Sequence, residues 1–133
     1  ANAYCWVLCQ KIALELSKNG YISKEDVYRK AIKDCGHFIY IPVRADAVER
    51  YIQIWQGHGL GWLAEDIGEC KTLDGYHNIM CYHGSSVYNT QEMTRLIDCL
   101  VDECNQLGIR LEPSEYIRSL IEGWGNEQSE TRG

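Results

Sequence analysis

The sequence predicts an α+β fold: a small antiparallel sheet, made of a hairpin plus a short strand, packed with about five helices. Three observations lead there. Met93, Leu96, Ile97, Leu100, Val101, Cys104 and Leu107 recur at helical spacing, opened by an Asn89–Glu92 capping-box pattern and stopped by Gly108. Residues 62–70 and 76–83 read as two strands joined through Leu73-Asp74-Gly75 as a hairpin. Residues 37–41, ended by Pro42, add the short strand.

The helices follow in chain order. Asn2 is a good N-cap for a first helix to Lys18, with Gly20 ending it. Its stripe is Cys5, Leu8, Cys9, Ile12 and Leu16, flanked by Tyr4 and Trp6, while Val7 and Leu14 fall on the opposite side. A helix apolar on two sides is central or covered by something further. Ser23 caps a second helix whose inner edge is Val27, Ala31, Ile32 and Cys35, with Gly36 as its stop. Asp46 and Glu49 form another capping-box pattern, opening a helix to about Gln56 with Val48, Tyr51, Ile52 and Trp55 inward. After the helix over 91–107, Pro113 and Ser114 start a last one with Ile117, Leu120, Ile121 and Trp124 inward. One domain over 1–124 and a polar tail over 125–133 complete the expected organisation.

The chain has 133 residues and a net charge of −6. Its longest apolar runs are far too short to cross a bilayer, so no membrane partner is expected. The charge is uneven: residues 1–33 carry six Lys/Arg against three Asp/Glu, and the remainder is acidic. A basic N-terminal part is either a binding face or two solvated helices. The seven cysteines are an odd number, mostly on apolar faces, which predicts no disulfides and a reducing, cytoplasmic setting.

Catalytic patterns are sparse. His77, Cys81 and His83 share one strand face, with Cys70 on the partner strand, but no paired C-x-x-C spacing exists and no zinc is expected. A Cys81 nucleophile with His83 or His77 as base would lack an orienting group and an oxyanion site. Asp98 and Asp102 lie one turn apart, opposite the apolar stripe, and read as solvated rather than metal-binding. No catalytic residue, metal ligand or cofactor is therefore assigned.

Single-stranded nucleic acid needs cations for its backbone and aromatic faces for its bases. Lys24, Arg29, Lys30 and Lys33 are the cationic cluster; Trp62, Tyr76, Tyr82, Tyr88 and Arg95 lie around the hairpin and the following turn. That turn, Gly84-Ser85-Ser86, leads toward a helix N-terminus whose free amides favour an anion such as a phosphate. It is otherwise a plain capped turn.

Asn2 followed by Trp6, then Gly84-Ser85-Ser86-Val87-Tyr88, Glu92-Met93, Leu96-Ile97 and Gly108-Ile109, resembles the NinB (Orf) family of phage recombination proteins. The resemblance implies a dimeric, non-catalytic recombination mediator in a bacterial cytoplasm. Its partners would be single-stranded DNA and a single-strand-binding protein or recombinase. The family carries a strand-rich, basic segment before the position of Asn2, so the resemblance also implies a preceding segment. Asn2, Trp6, Ser85, Ser86 and Glu92 carry over as signature positions, with Ser85 and Ser86 as expected DNA contacts. The other two classes left open are a metal-dependent phage nuclease and a protein-interaction module.

Overall fold

A computed structural model describes residues 2–111. The expected last helix and the polar tail lie outside the described residues. Among the described residues, four α-helices and a three-stranded antiparallel sheet make an α+β fold.

Helix α1 (Asn2–Leu16) buries Tyr4, Cys5, Leu8, Cys9, Ile12 and Ala13. It packs against α2 (Lys24–Cys35) and α4 (Thr90–Gln106). Ser23 caps α2 by accepting the Asp26 N–H, and α2 buries Val27, Tyr28, Ala31 and Ile32. The α4 capping box forms in full, with Asn89 accepting from the Glu92 N–H and Glu92 accepting from the Asn89 N–H. At its other end Gly108 takes φ 74°, and the Ile109 N–H returns to the Cys104 carbonyl at 2.9 Å, closing a Schellman turn. Leu8, Ile12, Ile32, Leu96, Ile97 and Leu100 form the interior of this helical layer.

The sheet runs in the order β1 (Phe38–Arg44), β3 (Tyr76–Tyr82), β2 (Leu63–Glu69). Its odd-numbered β1 and β3 residues, with Ala64, meet helix α3 (Val48–Gln56) around Val43, Ile79 and Cys81. The opposite face turns Tyr82, Met80 and Leu63 toward the helical layer. Residues 63–69 pair in one register until Gly68, at φ 110°, accommodates a bulge that shifts Glu69 opposite His77.

Four expectations are corrected. Strand β1 passes through Pro42 instead of ending at it; β1 is an edge strand, where a missing N–H breaks no ladder. Helix α3 starts from a 3-10 turn over Ala45–Ala47 without a side-chain cap, because Asp46 pairs with Arg44 instead. Asn2 lies within α1, and its carboxamide is turned to another use described below. Cys35 and Cys99 form a disulfide between the end of α2 and α4, their Cα atoms 6.5 Å apart. The bridge joins two helices that only the fold makes neighbours. Cys5, Cys9, Cys70, Cys81 and Cys104 are free thiols.

Candidate functional site

The turn after β3 is built from the inside outward. Ser85 is 4% exposed, in a 3-10 turn over Ser85–Val87. Its N–H donates to the Tyr28 hydroxyl at 2.9 Å, and its own hydroxyl donates to the Asn2 carboxamide oxygen at 3.2 Å. The Tyr28 hydroxyl then donates to Ser85 Oγ across 2.7 Å, so both hydroxyl protons find an acceptor. Ser85 thus joins α1, α2 and the turn, and it is not free to hold a phosphate. Ser86 is exposed beside it. The Glu92 N–H in the first turn of α4 is taken by Asn89, and the Glu92 carboxylate of the capping box lies at the same helix end, where its charge disfavours an anion. Of the two serines expected to contact an anion, Ser85 is taken up inside the fold and Ser86 is left at the surface.

Tyr88 is likewise a pin. Its hydroxyl accepts the His37 N–H at 3.2 Å and donates to the His83 carbonyl at 3.1 Å. Burial pushes its hydroxyl up to about 12.

Three of the four cations of α2 lie against acid. Arg29 pairs with Asp26 at 3.0 Å, Lys30 with Asp34 at 2.8 Å, and Lys33 with Glu65 of β2 at 2.9 Å. Lys24 is exposed at the start of α2, and Arg95 is exposed on α4 beside Thr94 and Asp98. The anticipated cationic track is thus largely neutralised in place. The sequence shows the lysines, but only the packing of α2 on β2 reveals Glu65 as a partner.

What the sequence reading missed is a row of rings across the end of the sheet. His37 continues β1 and lies opposite His83, whose N–H donates to the His37 carbonyl at 3.1 Å. Trp62, just before β2, falls on the other side of His83. The ring centroids are 5.1 Å apart for His37–His83 and 5.3 Å for Trp62–His83. Trp55 of α3 closes over them, 5.2 Å from His83 and 5.3 Å from Trp62, its indole N–H held by the Tyr82 carbonyl at 2.9 Å. His58 stacks on Trp62 at 4.9 Å and an interplanar angle of 26°. The hairpin register alone would have placed Trp62 beside His83; His37 needed the β1–β3 pairing.

Two glycines seat Trp62. A Cβ on Gly84 would lie 2.6 Å from the Trp62 indole nitrogen. Gly61, at φ 88°, would place a Cβ 2.6 Å from the Tyr28 ring, which itself stacks on Trp6 at 4.6 Å. The result is an open groove lined by Arg29, Gln56 and residues 59–63. It brings one expected cation, Arg29, to one expected aromatic, Trp62. Lys24, Arg95 and Ser86 are not among the residues lining it.

On the ring row, His37 Nδ1 lies 3.2 Å from a Glu92 oxygen. His83 Nδ1 is buried with no hydrogen-bond partner among the described residues. Burial and the neighbouring His37 lower the His83 pKa, against a smaller opposing pull from Glu92. His77, the other histidine of β3, is engaged by Asp66 at 2.9 Å. Among the described residues, no three His, Cys, Asp or Glu side chains converge to hold a metal ion. No helix among them is long and apolar enough to cross a membrane. Compared with protein-family models, curated proteins and solved structures, the chain matches none.

Proposed function

We propose that the chain binds single-stranded nucleic acid without catalysis, as a homodimeric recombination mediator in a bacterial cytoplasm, using the groove between α2 and the loop before β2. The observation that carries this reading is the presence of Arg29 and Trp62 at one open groove, with His58 stacked on the Trp62 ring. A base stacks on the indole and imidazole faces, and a phosphate exchanges with Asp26 for Arg29. That exchange costs little, because the Arg29–Asp26 pair is exposed on both sides. The acidic chain offers no broad cationic field, so affinity rests on stacking and few phosphates.

Titration with a labelled oligonucleotide tests the groove. Trp62→Ala is expected to weaken binding roughly 5- to 150-fold, the range that corresponds to losing one stacked base. Trp62→Phe, which keeps a ring face, should retain most of the affinity, and the far-UV circular dichroism of both variants should match wild type. Unchanged affinity in a folded Trp62→Ala variant overturns the placement. Incubation of the same oligonucleotide with magnesium should return it intact; cleavage would favour the nuclease class instead.

A further inference from the structure

We infer that the outer edge of β1 is the homodimer contact, where two copies pair β1 with β1 antiparallel about Ile39 and build one continuous six-stranded sheet. This rests on the homodimer reading above and places its contact at the sheet edge.

The direction of the β1 peptide groups follows from the ladder. The His83 N–H bonds to the His37 carbonyl, and the Ala45 N–H bonds to the Gly75 carbonyl. Both pairs belong to the β1–β3 register in which Phe38 faces Tyr82. Odd-numbered β1 residues therefore point their N–H and C=O groups at β3, and even-numbered ones point theirs outward. Phe38, Tyr40, Pro42 and Arg44 make up that outer edge. Pro42 has no N–H to offer and interrupts the row, so Phe38 and Tyr40 are the two successive outward positions with both a donor and an acceptor.

One register uses these groups without meeting the proline. With the two-fold axis at Ile39, Phe38 donates to and accepts from Tyr40 of the second copy, and symmetry repeats the exchange. A register centred on Tyr40 would instead set Phe38 against Pro42 of the second copy and lose a donor on each side. Side chains agree with the first choice. Phe38, Ile39 and Tyr40 are 39%, 38% and 57% exposed. Phe38 and Tyr40 share the helix-facing side, 5.4 Å apart edge to face, and would meet Tyr40 and Phe38 of the second copy. Ile39 would meet Ile39 on the other side.

Charge selects this edge over the opposite one. The β1 segment from Phe38 to Val43 has no charged residue, so it meets a copy of itself without repulsion. The β2 edge carries Glu65, Asp66 and Glu69 and is broken by the bulge at Gly68, two devices that prevent strand pairing.

The test uses the full chain with Cys70→Ser to remove the most accessible free thiol. In the proposed register Ile39 faces Ile39 as a non-hydrogen-bonded pair, with Cα atoms about 4.5 Å apart, within disulfide reach. Ile39→Cys should give a covalent dimer under mild oxidant; Val7→Cys and Leu14→Cys on α1 should not. In sedimentation, Tyr40→Pro should be monomeric while Tyr40→Ala, which keeps the N–H, still dimerises. A dimer that cross-links at Val7→Cys or Leu14→Cys and not at Ile39→Cys overturns the β1 contact but keeps the homodimer. A Tyr40→Pro variant that dimerises like wild type also overturns the contact. A wild-type monomer at tens of micromolar, roughly the range of weak dimers, overturns both readings.

Discussion

The helical layer and the sheet–α3 layer are held together in different ways. In the first, α1, α2 and α4 each contribute fully buried aliphatic side chains, and Leu8, Ile12, Ile32, Leu96, Ile97 and Leu100 meet in one interior. In the second, only Val43, Ala64, Ile79 and Cys81 are buried, and α3 contributes no buried residue. Aromatic rings and polar contacts at the sheet end supplement this thinner core. This thinner layer also carries the ring row, the Trp62 side of the groove and the free strand edge. Binding surfaces belong on such a layer, because its apolar groups are not committed to the interior.

The largest expected effect measures the contrast directly. Leu96→Ala removes a fully buried side chain from the helical layer and should cost roughly 2–5 kcal/mol in urea denaturation. Ile52→Ala, on the half-buried face of α3, should cost roughly 1 kcal/mol, since less area leaves water there. In native-state hydrogen exchange, α3 amides should open at lower free energy than those of α1 and α4. Equal costs, or slower exchange in α3, would remove the distinction between the layers.

A smaller effect probes the joint between them. Tyr28→Phe strips the acceptor from the Ser85 N–H and the donor to Ser85 Oγ, and should cost roughly 1–3 kcal/mol. Ser85→Ala should also lower stability while leaving nucleic-acid affinity unchanged. A loss of affinity in folded Ser85→Ala would restore the serine as a ligand contact and contradict its burial.

How much of this was legible depends on how local the signal is. The α4 helix could be read whole, because the capping box and the Gly108 stop are written within a few residues of its ends. The hairpin could be read from Asp74-Gly75 and the flanking alternation, and the α2 cap from Ser23. Long-range partners could not. Ser85 looks like a free hydroxyl until Tyr28 and Asn2 arrive from 57 and 83 residues away. Lys33 looks like a free cation until α2 docks on β2 and meets Glu65. The cysteine count could not announce Cys35–Cys99, since an odd total hides a single pair. Pro42 looks like a terminator along the chain, because whether a strand lies at an edge is a property of the sheet.

The finest test of the comparison is the pH dependence of the ring row. His83 lies among Trp55, Trp62, His37 and Glu92, with Tyr88 on its carbonyl. Burial and the charge of a protonated His37 disfavour its own protonation, and Glu92 offsets part of that. Its pKa in the fold is thus below the unfolded value of 6.5. The unfolded chain therefore binds the proton more readily. The stability that depends on a neutral His83 is complete above pH 6.5 and is lost as pH falls through 6.5 toward the lower folded value. Urea midpoints taken from pH 7.5 down to pH 5.5, roughly one unit either side of that value, should fall more for wild type than for His83→Gln. Because His83 belongs to the thin layer, α3 amides should gain exchange over the same interval while those of α1 stay protected. Parallel midpoint curves for the two proteins would show that the row tolerates the charge, and that its burial carries no pH response.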